Sequence, residues 1–246
     1  MNCKVYIVGA GPGDPKLITL KGLEVIKQAD VIIYDRLISK ELLNYSKKNC
    51  ELIYAGKGPN NHVMEQEEIN NTILEKCKEG KIIVRLKGGD PYIYGRGEEE
   101  CIFSILNGLG CETIPGIPSF IGAATYAGIP LTNRKLSSSI AIMTGKEAKE
   151  KERPTVKVEE LAKNADTLVI LMSASNLKET LRRVANIRGY DEKCAIVINA
   201  TTENQKTVIG NIGEILEIYD KGVIKNPAVI IIGKTVDMRD KLWKKE

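Results

Sequence analysis

The sequence predicts two α/β domains, and three observations carry that reading. Short apolar runs recur along the whole chain and close on turns rich in glycine or aspartate. Between them lie stretches with apolar residues three or four apart, the period of an amphipathic helix. Residues 110–118 hold two prolines and two glycines, which places a boundary between an N-terminal domain over residues 1–114 and a C-terminal domain over 115–246.

Lys4 to Val8 reads as a strand ending in Gly9-Ala10-Gly11-Pro12-Gly13-Asp14. Leu20, Leu23, Ile26 and Ala29 then follow at helical spacing. Val31 to Tyr34 is a second buried-type strand, stopping at Asp35. Glu65 to Glu79 is a helix on the spacing of Ile69, Ile73 and Cys77, with Gly80 as its stop. Lys81 to Leu86 is a strand closing on Lys87-Gly88-Gly89-Asp90. The next helix places Ile102, Ile105, Leu106 and Leu109 on one face. In the second half, strands are expected at Ile140–Met143, Leu168–Met172, Ala195–Ile198 and Ala228–Ile232, a helix at Leu177–Ile187 and a hairpin around Thr201–Ile209. Lys146–Lys163 reads as a solvated helix or loop.

The chain has 246 residues, 43% of them hydrophobic and 28% charged, so it has the composition of a globular protein. Its formal charge of +4 comes from scattered lysines and arginines, and only 5% of residues are aromatic. Both facts disfavour a nucleic-acid surface, while a mild basic excess suits an anionic small molecule. No apolar run approaches the ~18 residues that span a bilayer, so no membrane partner is expected. The N-terminus has no secretory pattern, and the six cysteines form no CxxC pair. Reduced thiols and a cytoplasmic location are therefore expected. The single histidine, His62, excludes a His-based metal cage or a Ser-His-Asp triad, and no metal is expected.

The first glycine loop resembles a dinucleotide-binding turn, with Asp35 where a ribose-binding acid would stand. Its third position should be Gly or Ala so that helix and strand approach closely, and it is Asp14. Asp14 reads instead as a helix cap.

Val8 to Asp14, Leu17 to Gly22, Tyr34-Asp35-Arg36-Leu37, Gly56-Lys57, His62, Gln66 to Asn70, Val84 to Gly97, Pro115-Gly116-Ile117 and Gly128 to Arg134 together resemble the ordered motifs of the tetrapyrrole methylases. The combination of the Tyr-Asp-Arg-Leu segment with the long block from Leu86 to Gly97 is similar to that family's uroporphyrinogen-III branch. A later corrinoid-pathway precorrin methyltransferase is the alternative within the family. The sequence departs from the pattern at Gly58, Pro118, Asn133 and Ala200.

The resemblance implies methyl transfer from S-adenosyl-L-methionine to uroporphyrinogen III, giving precorrin-2 by way of precorrin-1, with S-adenosyl-L-homocysteine as the other product. It also implies a homodimer and a site in the cleft between the two domains. By the same resemblance Asp35 is the proton acceptor and Lys57 the proton donor. Pro12, Gly88, Gly89, Asp90, Ile93, Pro118, Ser119, Met172 and Ala200 map onto cofactor-binding positions. Arg36, Arg85 and Arg96 are expected to bind substrate carboxylates, which suit the guanidinium fork. Spacing alone favours Asp35 as a strand-end turn residue, Lys57 as a solvated lysine, and Met172 as a core residue.

Overall fold

A computed structural model describes residues 3–56, 64–145, 155–172, 176–222, 224 and 227–243. They divide into two compact units, residues 1–119 and 120–246.

Unit 1 contains β1 (Lys4–Gly9), α1 (Leu20–Gln28), β2 (Val31–Tyr34), β3 (Glu51–Tyr54), α2 (Gln66–Lys78), β4 (Ile82–Lys87), α3 (Gly97–Leu106) and β5 (Gly110–Ile114). The strands pair in the order β3-β2-β4-β1-β5, and every pairing is parallel. Parallel strands need covered faces. Val8, Ile32, Val84 and Leu86 pack with Val25 and Ile26 of α1 on one side. Val5, Ile7, Val31, Ile33 and Ile83 pack with Ile69 and Ile73 of α2 and Cys101 of α3 on the other. Because all strands run the same way, the loops after β1, β2, β4 and β5 share one edge of the sheet. That carboxyl edge is where open α/β sheets hold ligands.

Unit 2 contains α4 (Ser119–Tyr126, its first residue the last of unit 1), β6 (Ile140–Thr144), α5 (Val158–Asn164), β7 (Thr167–Leu171), α6 (Leu177–Arg188), β8 (Lys193–Ile198), β9 (Lys206–Asn211), α7 (Ile212–Asp220), β10 (Ala228–Ile232) and α8 (Arg239–Leu242). Its sheet has the order β6-β7-β10-β8-β9. β10 runs antiparallel to both β7 and β8, so β7 and β8 end at the same edge. The hairpin expected around Thr201 is β8 paired with β9. Its first arm begins at Lys193, ahead of the expected segment.

Three local expectations change. Asp14 caps a short 3-10 turn, Pro15–Leu17, by accepting from Lys16 N at 2.9 Å, and Thr19 caps α1. Residues 110–114, read as the start of a boundary, form β5 at the sheet edge. The predicted apolar face of α3 points outward: Ile102, Ile105 and Leu106 are exposed, while Glu100, Cys101 and Ser104 are buried. The helix is turned by what lies beneath it, a pair of buried cations described below.

The expectation of reduced thiols is also corrected. Cys3 is bonded to Cys77 and Cys101 to Cys111, which ties α2 to the residue just before β1, and α3 to β5. Neither pair is adjacent in sequence, and closeness is created only by the fold. Cys50 and Cys194 are free. Ellman titration of unreduced, denatured protein is therefore expected to count two thiols per chain. A count of six (all the cysteines) would restore the reduced reading.

Candidate active site

Side chains alternate across a strand, so Ile83, Arg85 and Lys87 all face α2 and α3. A face that takes two cations must supply carboxylates, because a buried unpaired charge is costly. Glu100 on α3 meets that need from a fully buried position. Its Oε1 accepts from Arg85 Nε at 3.0 Å, Lys87 Nζ at 3.0 Å and Gln66 Nε2 at 3.2 Å. Glu100 Oε2 has no partner among the described residues. The far side of the guanidinium donates from Nη2 to Asp35 Oδ1 at 2.5 Å. Nη1 lies 3.4 Å from the carbonyls of Ile33 and Leu86.

Burial works against the charge on Arg85, but the Glu100 and Asp35 carboxylates outweigh it and hold the guanidinium above its ordinary range. Lys87 is pulled below the ordinary lysine range, by burial first and by the neighbouring Arg85 charge second; Glu100 and Asp35 only partly oppose this. Asp35 is the member with a solvent face: its side chain is 33% exposed, against 2% for Arg85 and 0% for Glu100. A carboxylate with a solvent face thus stands at the mouth of a buried polar cluster.

Beside it, the loops after β1 and β4 are joined. Gly89 N donates to Gly11 O at 2.8 Å, and Gly11 N to Gly89 O at 3.2 Å. Asp90 closes the next turn, its Oδ2 accepting from Gly116 N at 3.1 Å and its Oδ1 from Tyr92 N at 2.9 Å. The Asp90 carboxylate, expected at a cofactor-binding position, is thus also a loop clamp. Where the loops cross, only glycine fits. A Cβ on Gly9 would lie 2.5 Å from Gly116 N and 2.7 Å from Gly89 O, and one on Gly116 would strike Gly89 O. Gly116→Ala must therefore push the loops apart. We expect ~1–3 kcal/mol of destabilisation and weakened S-adenosylmethionine binding. Unchanged Tm and affinity would refute the crossing.

Gly89 itself is different. Its φ is +69°, and a Cβ there would meet only Ser119 N at 3.5 Å and Pro118 Cα at 3.9 Å. The backbone leaves open space on that side, bordered by Pro118 and Ser119. The same edge carries the loop Asp90–Arg96, in which Tyr94 (φ 56°) and Arg96 (φ 59°) are left-handed. Non-glycine residues held there cost on the order of 1–3 kcal/mol, and such strain collects at functional loops. Tyr92 and Ile93 are exposed. Pro12 lies in the β1 loop, on the same edge. Open backbone beside Gly89 and exposed apolar side chains thus share this edge.

In unit 2, Met172 and Ala200 lie beyond the ends of β7 and β8 and so share one edge of that sheet. Met172 is 49% exposed with φ 52°, so the core reading of this residue fails. Ala200 packs against the Val197 and Val229 cluster. It lies between left-handed Asn199 and Thr201.

The three expected substrate arginines differ. Arg36 is exposed. Arg96 forms a two-pronged pair with Glu99 at 2.9 and 2.7 Å. Arg85 was expected on substrate carboxylates; it is buried, and the carboxylates it meets are the protein's own. Lys57 lies outside the described residues, as do Gly58 and His62.

The model of the tetrapyrrole (corrin/porphyrin) methylases matches residues 4–216. The chain belongs to that family. Among curated tetrapyrrole methylases it is 48% identical to the uroporphyrinogen-III C-methyltransferase of Methanocaldococcus jannaschii, over 98% of this chain and 99% of that protein. A solved cobalt precorrin-4 methyltransferase superposes with TM-score 0.85 at 32% identity, covering 95% of this chain and 96% of that one. The uroporphyrin-III C-methyltransferase of Thermus thermophilus, complexed with S-adenosyl homocysteine, gives 0.79 at 32% identity, covering 95% of this chain and 93% of that one. This tetrapyrrole methylase is thus an S-adenosylmethionine-dependent enzyme of two α/β units. Within the buried polar cluster, Glu100, Lys87 and Gln66 were not anticipated. The signal for them was present in Arg85 and Lys87, two cations on one face of an otherwise apolar strand.

Proposed function

We propose that this enzyme methylates carbons of uroporphyrinogen III, forming precorrin-2 through precorrin-1. The observation that carries the proposal is the 48% identity, end to end, with a uroporphyrinogen-III C-methyltransferase. Backbone likeness does not separate the substrates, since a corrinoid-pathway enzyme superposes at least as well.

S-adenosylmethionine, when bound, supplies a methyl group on a cationic sulfur. The chain's own task is alignment and proton removal. We assign the cofactor to Pro12, Gly88, Gly89, Asp90, Ile93, Pro118 and Ser119 in unit 1 and to Met172 and Ala200 in unit 2. A pyrrole carbon that gains a methyl leaves a cationic ring, which becomes neutral by losing a proton. Asp35 takes that proton, and its partly exposed carboxylate at the carboxyl edge of the sheet suits the role. Lys57 is assigned as proton donor. Arg36 and Arg96 are assigned to the anionic rim of the substrate.

Turnover of uroporphyrinogen III and of later corrinoid precursors should be measured side by side. A clear preference for uroporphyrinogen III is expected; preference for a corrinoid would transfer the assignment to the sister reaction. We further propose a cytoplasmic homodimer, on the family resemblance. Among the described residues no helix is long and apolar enough to cross a membrane. Sedimentation should give about twice the chain's 27.1 kDa, and a monomer at micromolar concentration would refute the dimer.

A further inference from the structure

We infer that Arg85 is a positioning residue for Asp35, held in register by Glu100 and Lys87. The inference rests on the reading of Asp35 as the proton acceptor.

The guanidinium is planar, so fixing one nitrogen fixes the direction of the others. Arg85 Nε is held 3.0 Å from Glu100 Oε1, and that oxygen is itself held by Lys87 and Gln66. Nη1 is bracketed by two backbone carbonyls of the sheet. Nη2 then has one direction left, and Asp35 Oδ1 lies in it at 2.5 Å. The anchor comes from α3, the lever from β4 and the positioned carboxylate from the end of β2. The cluster holds two cationic and two anionic side chains. A buried ion cluster adds little stability over an apolar packing of equal volume. What it supplies here is direction, because one Asp35 oxygen is fixed and the other stays available to take a proton.

A proton acceptor displaced by about 1 Å can lose on the order of 100-fold in rate. Lysine at position 85 keeps the charge but cannot span Glu100 and Asp35 as a rigid fork. Arg85→Lys should therefore lower kcat by roughly 10- to 100-fold, with KM and S-adenosylmethionine affinity changed less than about twofold.

The deciding measurement is a double-mutant cycle, in single turnovers so that slow variants remain measurable. Once Asp35 is Asn there is no base left to position, so adding Arg85→Lys should cost little more. Independent losses that multiply would overturn the inference, as would a normal kcat in Arg85→Lys alone. Should Arg85→Lys not fold, Arg85→Gln with Glu100→Gln replaces the buried pair by amides. The same kcat loss and the same lack of additivity are expected, and full activity would overturn the inference. Asp35→Asn alone with near-normal turnover would instead defeat the base assignment, and this inference with it. The two failures are thus told apart by the single variant.

Discussion

Asp35→Asn is expected to slow product formation by ~10²–10⁴-fold while leaving S-adenosylmethionine affinity nearly unchanged. Asparagine keeps the shape of the side chain and cannot accept a proton at neutral pH. Asp35 follows β2 directly, and its backbone N donates to Leu86 O at 3.2 Å. Asparagine disturbs neither that hydrogen bond nor the turn, since both residues are at home in turns. Its Oδ1 still accepts from Arg85, so the buried cluster keeps one partner at that end. A turn residue and a base therefore give opposite results in one assay. Product would be followed by absorbance after oxidation of the tetrapyrrole, beside calorimetry with S-adenosylmethionine. Near-normal turnover would end the base assignment. Lost cofactor affinity would move Asp35 into the cofactor site.

Legibility followed burial and charge. β2 and β10 are short, almost wholly apolar runs, and β4 is one interrupted only by Arg85 and Lys87, so all three are plain in the sequence. β3 and β5 are edge strands. Glu51–Tyr54 and Gly110–Ile114 are largely half-exposed or exposed, so polar residues interrupt the pattern that marks a buried strand. α4 is built from small residues next to Pro118, which hides its start. The apolar stripe of α3 misled because tertiary need overrode amphipathicity: Glu100 had to lie under the helix to meet Arg85 and Lys87. That partnership joins residues 15 apart across a loop, and no local period encodes it. Motif likeness marked Asp35 and the glycine loops. The fit of a guanidinium to carboxylates placed Arg85 among substrate contacts, and only packing showed which carboxylates it serves.

Gly89→Val is expected to abolish measurable S-adenosylmethionine binding, with affinity down on the order of 100-fold or more, which is about 2.7 kcal/mol. Two effects are combined in that variant and are separable. The first is backbone strain. At φ +69° an L residue costs roughly 1–2 kcal/mol and a β-branched one more, which lowers Tm by a few degrees in a chain of this size. The second is occupation of space. A Cβ at position 89 makes only ordinary contacts with Ser119 and Pro118, so the loop itself tolerates it. The two added methyls of valine project into the side that the backbone leaves open, where the cofactor is assigned. The hydrogen bonds between Gly11 and Gly89 use backbone atoms only and persist. Gly89→Ala separates the two effects: it carries most of the strain and fills little of the space. Alanine should therefore share most of the Tm loss while retaining much of the affinity, and valine should lose both. Equal affinities for wild type and valine would remove this loop from the cofactor site. Equal losses for alanine and valine would show that strain at the turn, not occlusion, controls binding.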